Sequence, residues 1–435
     1  MNILSIGGSD PSSGAGIQSD IRAASALGAN CFSVITAITS QNSTRFSSVE
    51  AVSANAVAQQ MDSVLSDFGI DVINIGMVYD SKIIEEIYLK LKDQKVPIVV
   101  DPVIKSTTGG VLLKKSALFA FKRLIIPLSY AVTPNVKEAE ILSGVRIAGF
   151  EDLIRAAKKL SHLGAKNIVI TGHAFTKNKI SDFVYEKGKH HSISGKKLGG
   201  WAHGGGCNFA IALSYSIAQK KSVAESVRFA KEFAYQSIKS AQDLGHGIKI
   251  TRPKPDKIRT ELAFAIHEFT KLDGVTCLIP EVQTNFVFAK QNAKSIDGIL
   301  GVGGRIVKAG KTAIVAGELE YGGSHHVGSA VLTIQKKFPH LRSAVNIRFD
   351  ERFIKKMQKA KYTILSYNRA GEPKKTRLKE NSTISWGIQS AIKNSAIPPD
   401  AIYHRGDVGK EPMIIVFGES PRDVLAKVKI LLRFK

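Results

Sequence analysis

The stretch that most constrains this chain is Trp201-Ala-His-Gly-Gly-Gly-Cys-Asn-Phe209. Its three glycines run straight into an apolar helical pattern from Phe209 to Ala218. Glycine lets backbone N–H groups come close to a ligand. A helix start adds unpaired donors and the positive end of the dipole. Together they suit an anion, above all a phosphate in transfer. Cys207 falls where that helix begins, a position that lowers a thiol's pKa. The residues before the turn are read as building its pocket, and those after it as a second enzyme.

Length and composition narrow the classes. A chain of 435 residues holds two or three domains with proper cores. No apolar run reaches the length of a membrane span. The start, Met1-Asn-Ile-Leu-Ser-Ile6, lacks the basic lead of a signal peptide. Cys31, Cys207 and Cys277 are widely spaced and form no disulfide or metal pattern, so a cytoplasmic protein is expected. The net charge is +24. Its lysines are spread, with pairs at Lys114-Lys115, Lys158-Lys159, Lys196-Lys197, Lys336-Lys337 and Lys374-Lys375. They read as a solvated surface, part of which serves phosphorylated small molecules. Without a nucleic-acid module or basic tail, binding to nucleic acid is the weakest reading.

The first half alternates short strands and helices. Strands are expected at Asn2–Gly7, Cys31–Thr39, Asp71–Met77, Pro97–Asp101, Tyr130–Thr133 and Asn167–Thr171. Helices are expected at 17–27, 57–65, 81–92, 112–124, 136–142 and 153–163. A hairpin over 179–194 and helices at 208–219 and 223–241 follow. The alternation predicts an α/β fold with a mostly parallel sheet and helices on both faces. Two glycines and two prolines between Asp243 and Asp256 mark a linker, placed at 246–257 between domains at 1–245 and 258–435. The second domain reads as smaller and α/β. Its strands are expected at 276–279, 285–289, 305–308, 312–315 and 344–349. Its helices are expected at 257–272, 327–337, 352–360, 385–393 and 421–431.

A parallel sheet binds ligands at the carboxyl ends of its strands. That rule gathers Gly8-Ser-Asp10, Thr39, Gln41, Asn42, Met77, Asp101-Pro102, Thr133-Pro-Asn135, Glu138 and Thr171-Gly-His173. Asn135 and Glu138, on adjacent turns of a helix start, can hold Mg²⁺ through water and steer nucleotide phosphates. Gln41 offers a donor and an acceptor to a heterocycle edge.

These residues carry a resemblance. Gly7-Gly-Ser-Asp-Pro-Ser-Ser-Gly-Ala-Gly-Ile-Gln-Ser-Asp20, Thr36-Ala-Ile-Thr-Ser-Gln-Asn42, Gly76-Met77, Asp101-Pro-Val103, Thr133-Pro-Asn-Val-Lys-Glu-Ala-Glu140 and His203-Gly-Gly-Gly-Cys207 follow one another in this order. With them, residues 1 to about 245 resemble the hydroxymethylpyrimidine and phosphomethylpyrimidine kinases of the ribokinase superfamily. The resemblance implies a ribokinase-like fold, and Gly8, Asp20, Gln41 and Met77 at the pyrimidine. It implies Asp101, Asn135 and Glu138 at Mg²⁺ and the ATP phosphates, with Thr171 beside them. Gly204, Gly205, Gly206 and Cys207 are then the anion hole, with Cys207 as a candidate base. Two positions depart from the family: Gly205 replaces a threonine, and Thr171 stands where a lysine-bearing run is usual.

The second half offers Pro280-Glu-Val282, Asn285, Gly304-Arg-Ile306, Gly323-Ser-His-His-Val327, Asn346-Ile347, Ser385-Trp-Gly387 and Gly409-Lys-Glu-Pro412. Glycines near Arg305 admit backbone to a phosphate, and arginine forks onto its oxygens. His325 and His326 lack a third nearby ligand, so no zinc site is expected. Apart from Ser385-Trp-Gly387, these runs are similar to the ThiN-type thiamine-phosphate synthase domain. The resemblance implies that Arg305 and His326 act in joining a pyrimidine pyrophosphate to thiazole phosphate. Lys410, with Lys308 and Lys311, is a further phosphate candidate. Gln283 stands where that family often has glycine. The competing reading is a pyrimidine kinase whose second half only senses thiamine phosphates. The expected partners are small molecules, with no nucleic acid and no membrane, in a homo-oligomer expected to be a dimer.

Overall fold

The computed structural model describes residues 1–106, 109–174, 179–199, 202–373, 382–407 and 410–432. Trp201, the Lys374-Lys375 pair and Gly409 lie outside the described residues. The chain divides into two compact units, Met1–Pro255 and Asp256–Lys435.

The first unit is built on a nine-stranded sheet. Its strands are β1 (Asn2–Ser9), β2 (Asn30–Gln41), β3 (Phe46–Ala51), β4 (Val72–Ile75), β5 (Ile98–Val100), β6 (Ala131–Val132), β7 (Asn167–His173), β8 (Lys179–Glu186) and β9 (Lys189–Lys196). They lie in the order β3-β2-β1-β4-β5-β6-β7-β8-β9. The pairs from β2 through β7 are parallel, and β3, β8 and β9 add antiparallel edges. Successive side chains on a strand point to opposite faces. Leu4, Ile6, Ile73 and Ile75 therefore join one core, with the helices at Ala54–Asp67, Ser81–Leu91 and Phe150–His162. Ile3, Val72 and Val99 join the other, under the helices at Gly16–Ala26, Gly205–Ala218 and Val223–Lys239. Burial on both faces explains why these strands read as near-continuous apolar runs.

The expected helix over 112–124 is corrected. Leu112 and Leu113 lie outside the helical stretch, which runs from Lys115 to Leu128 and widens into a π turn at Phe121–Ile125. Pro127, just beyond, lacks the N–H that a regular helix would use there. The edge strand β3 was not expected, because its Phe-Ser-Ser-Val-Glu-Ala sequence is half polar. A two-stranded parallel sheet pairs β10 (Ala202–His203) with β11 (Lys249–Ile250). Residues 249–250, read from sequence as linker, thus pair directly with the strand before the glycine turn.

The second unit holds a seven-stranded sheet and a hairpin. Its strands are β12 (Phe286–Ala289), β13 (Ile299–Val302), β14 (Arg305–Ala309), β15 (Thr312–Ala316), β16 (Leu319–Tyr321), β17 (Ser343–Arg348), β18 (Ile364–Ser366), β19 (Ala401–His404) and β20 (Met413–Gly418). The sheet order is β16-β13-β12-β17-β20-β19-β18, while β14 and β15 pair with each other. Only the β18–β19 pair is parallel in that sheet. Phe286, Phe288, Val345 and Val416 face one core, and Val287, Ala344, Ile415 and Phe417 the other. The expected strand at 276–279 is instead a 3₁₀ turn at Val275–Cys277 after Gly274, whose φ is +76°. Strands β13, β16, β18, β19 and β20 were absent from the expectation. β20 is buried throughout and shows no period, and β13 contains a glycine, which weakens a strand pattern. A side chain at Gly301 would stand 3.0 Å from both Ser324 Cβ and Val287 Cγ1. That glycine serves packing within a strand. No described helix is long and apolar enough to cross a membrane.

Candidate active sites

The carboxyl ends of β1 and β2 meet the start of the Gly16–Ala26 helix at a cleft open to solvent. Its lining brings together Gly8, Asp20, Gln41, Met77, Asp101 and Cys207. A side chain at Gly8 would press on Met77 Sδ at 2.6 Å, so glycine there lets the thioether form the wall. Gln41 Oε1 is buried without a partner among the described residues and can accept from a heterocycle N–H. Asp20 accepts a 2.6 Å hydrogen bond from Ser5 Oγ, while its Oδ1 has no partner among the described residues. Burial pushes its carboxyl up to about 7; the Ser5 bond opposes this and the Asp101 charge adds to it.

Asn74 was not singled out from the sequence. It lines the same cleft from the middle of β4, with Oδ1 buried and without a partner among the described residues. Its signal was a lone amide in the buried run Val-Ile-Asn-Ile. The strand-end rule does not examine strand interiors.

The glycine turn is fixed from two sides. Gly204 precedes the Gly205–Ala218 helix with φ +94°, and a side chain there would meet Gly14 O at 2.3 Å. His203 Nε2 stands 3.2 Å from Asp10 Oδ2, and both groups are buried. Burial raises Asp10, but His203, Ser12 and the Ala15 N–H outweigh it and leave the carboxyl below its ordinary value. On the other side, Thr251 Oγ1 donates to His203 O at 2.9 Å and accepts from Asn208 Nδ2 at 3.0 Å. The strand-end rule gathered Asp10, but not Thr251.

Cys207 corrects an expectation. Its thiol is pushed well above the ordinary cysteine value, first by burial and then by the charges of Asp20 and Asp101. The Gly16 N–H lowers it too little to compensate. Burial and these nearby carboxylates outweigh the helix start. Gly205 has no left-handed φ; a side chain there would meet Ile238 Cδ1 at 3.3 Å. Ile238 packs over the place where the family's threonine would project.

Asp101 follows β5 and accepts from Thr133 Oγ1 at 3.2 Å. Burial raises its carboxyl to about 6. Glu138 is raised to about 8, by burial and then by the Asp101 charge. Asn135 and Glu138 form a reciprocal helix cap: Glu138 N donates to Asn135 Oδ1, and Asn135 N to Glu138 Oε2, each at 3.0 Å. Thr171 N donates to Pro134 O at 2.8 Å, which ties β7 to this cap. Asn135, Glu138 and Thr171 thus stand beside the cleft, outside its lining. Two buried carboxylates, both raised by burial and Glu138 further by the Asp101 charge, fit a divalent cation, which would let both ionise. The described residues hold no cluster of three such ligands, so water and phosphate oxygens would complete the shell.

In the second unit, Arg305 opens the β14–β15 hairpin and is exposed. The neighbouring Gly304 is required by the hairpin, since a side chain there would meet Ala316 O at 1.7 Å. His326 lies in the first turn of the His325–Gln335 helix. Its imidazole is lowered to about 4, first by desolvation and then by Arg305, Arg369 and Lys410. The three residues selected from sequence are therefore in electrostatic reach of one another. Arg369 and His404 were missed. The buried His404 is also lowered to about 4, by burial, Arg369 and His326 in that order.

The other motifs are mainly structural. Glu411 accepts from the N–H groups of Glu281 and Val282 at 2.9 and 3.0 Å. Asn346 Oδ1 accepts from Asn285 N at 2.7 Å, and its Nδ2 donates to Gln283 O at 2.9 Å. Gln283 itself adopts φ +68°, the left-handed region where glycine is easiest.

Residues 10–252 match the phosphomethylpyrimidine kinase family, and residues 261–430 match the thiamine-phosphate synthase ThiN family. A bifunctional thiamine biosynthesis protein of Methanocaldococcus jannaschii is 28% identical over 99% of this chain and 98% of its own. A hydroxymethylpyrimidine/phosphomethylpyrimidine kinase of Bacillus subtilis is 34% identical over 56% of this chain and 91% of its own. The Staphylococcus aureus pyridoxal kinase, solved in complex with pyridoxal, is 28% identical with a TM-score of 0.55. That match covers 59% of this chain and 95% of the kinase. The chain belongs to the phosphomethylpyrimidine kinase family and carries a ThiN-type thiamine-phosphate synthase domain behind its ribokinase-like kinase.

Proposed function

We propose that residues 1–245 phosphorylate hydroxymethylpyrimidine, then its monophosphate, with ATP as co-substrate. Residues 258–435, joined through 246–257, condense the resulting pyrophosphate with thiazole phosphate. Thiamine phosphate forms and pyrophosphate leaves. The observation that carries this reading is the cleft. It gathers the pyrimidine residues Gly8, Asp20, Gln41 and Met77 against Asp101 and the glycine turn.

In the first reaction the pyrimidine hydroxyl oxygen attacks the γ-phosphorus of ATP and ADP departs. Gln41 and Asp20 orient the ring, and Met77 packs its face. The backbone N–H groups at Gly204, Gly205, Gly206 and Cys207 take up charge on the transferred group. Burial and two carboxylates keep the Cys207 thiol protonated in the free protein, so the amides are the principal contribution of this turn. Asn135, Glu138 and Thr171 face the nucleotide end. Mg²⁺ would be held by Asp101 and Glu138, and would neutralise phosphate charge.

In the second reaction the carbon–oxygen bond to pyrophosphate breaks and the thiazole nitrogen bonds to the methylene carbon. Arg305 and Lys410 stabilise the departing charge, and His326 hydrogen-bonds to it. The full-length match to a bifunctional protein favours this over a sensing-only second half. The expected setting is the cytoplasm.

The test is a coupled assay on purified protein with hydroxymethylpyrimidine, ATP-Mg²⁺ and thiazole phosphate. Thiamine phosphate is the expected product. ADP release without thiamine phosphate, in protein that binds thiamine phosphate, would overturn the second assignment.

A further inference from the structure

Arg369 and Glu372 are buried in the second unit, their charged groups 3.6 Å apart. A buried ion pair is costly unless further hydrogen bonds complete it. Here Glu372 Oε1 is buried with no partner among the described residues, and so are the hydroxyls of Tyr367 and Ser324. Each such group carries a desolvation cost that a ligand would remove.

The fold brings these groups to the condensation site. β18 and β19 are parallel, so their carboxyl ends lie side by side. Tyr367 follows the end of β18, and its N–H donates to Tyr403 O at 3.2 Å. His404 ends β19, its ring 5.2 Å from that of Tyr367. Trp386 meets the Tyr367 ring edge-on at 6.1 Å. A side chain at Gly387 would stand 2.3 Å from the tyrosine ring. The Ser385-Trp-Gly387 run therefore shapes the seat of Tyr367. Ser324 precedes the helix that carries His326. Arg369 bears electrostatically on both His326 and His404, and Arg305 and Lys410 bear on His326. Three cations and two free hydroxyls around neutral imidazoles have the chemistry of a phosphate site.

We propose that Arg369 binds a substrate phosphate group at the condensation site, with its guanidinium aimed by Glu372 and the Tyr367 hydroxyl donating to the same group. This rests on the synthase reading of the second unit. Arg305 is exposed and Arg369 buried, so the two arginines reach the anion from the surface and from the interior.

The test uses the full chain, with a non-hydrolysable ATP analogue filling the kinase phosphate site. Inorganic pyrophosphate is titrated calorimetrically. Arg369→Met should weaken its binding about tenfold or more, and Glu372→Gln by less. Unchanged affinity in Arg369→Met would overturn the proposal. Tyr367→Phe keeps the ring packing and serves if the arginine variant does not fold. It should raise the KM for a phosphorylated substrate about threefold at unchanged thermal stability; an unchanged KM would overturn the role of the hydroxyl. If pyrophosphate binds through Arg369 but no thiamine phosphate forms, the site stands and the synthase reading falls. If thiamine phosphate forms while Arg369→Met binds pyrophosphate normally, the site falls and the reading stands.

Discussion

In the first unit, carboxylates crowd one another: Asp20, Asp101 and Glu138 are raised to about 7, 6 and 8. In the second unit, cations crowd imidazoles: His326 and His404 are lowered to about 4. Desolvation is the first cause in every case; the Asp101 charge adds to it at Asp20 and Glu138, and positive neighbours add to it at His326 and His404. The first site needs a cation and the second needs anions. The difference teaches that one chain can hold two phosphate chemistries apart by charge. On the proposed function, a nucleotide would enter the first with Mg²⁺, whereas a pyrophosphate entering the second would meet arginine directly.

The largest expected effect separates the units by backbone alone. Gly204→Ala forces a side chain into φ +94° against Gly14 O and should lower kinase turnover about a hundredfold or more. Condensation of supplied pyrimidine pyrophosphate should be unchanged. Arg305→Met should do the reverse, costing about a hundredfold in condensation and leaving ATP-dependent phosphorylation intact. Steady-state assays of each half-reaction check both variants.

Acid sharpens the contrast. His404 titrates in the fold at about 4, below the ordinary imidazole value of about 6.5. The unfolded chain therefore takes up its proton first. The stability of the second unit is present above about pH 6.5 and falls toward pH 4, by up to about 3 kcal/mol for this buried group. Denaturant unfolding followed at Trp386 across that range should show a slope that His404→Gln flattens. Asp101 and Glu138 behave oppositely. Both must lose protons to hold Mg²⁺, so its affinity should rise about tenfold from pH 6 to 8, with proton release detectable by calorimetry in different buffers. The smallest effect belongs to Gly205→Thr. Its side chain presses Ile238 at 3.3 Å, so kinase turnover should move only about twofold, at a stability cost below about 1 kcal/mol.

The two units also differ in how legible they were. In the first, alternating strands and helices gave the fold, and strand ends gave Gly8, Gln41, Met77 and Asp101. Asn74 escaped because it sits mid-strand, and Thr251 because it lies in a stretch that reads as linker. The direction of the Cys207 shift was misread because sequence shows the helix start but not the two carboxylates folded beside it. In the second unit, buried antiparallel strands carry no period, and β20 passed unnoticed. Arg305 and His326 came from local motifs. Arg369 and His404 reach that site only through the β18–β19 pairing, a contact that sequence spacing does not encode.

The division of labour is tested most directly by supplying the Gly204→Ala chain with hydroxymethylpyrimidine pyrophosphate and thiazole phosphate, without ATP. Thiamine phosphate should form at the wild-type rate, although the same variant no longer makes it from hydroxymethylpyrimidine and ATP. Failure to form it in both cases, from folded protein, would contradict two separate sites on one chain.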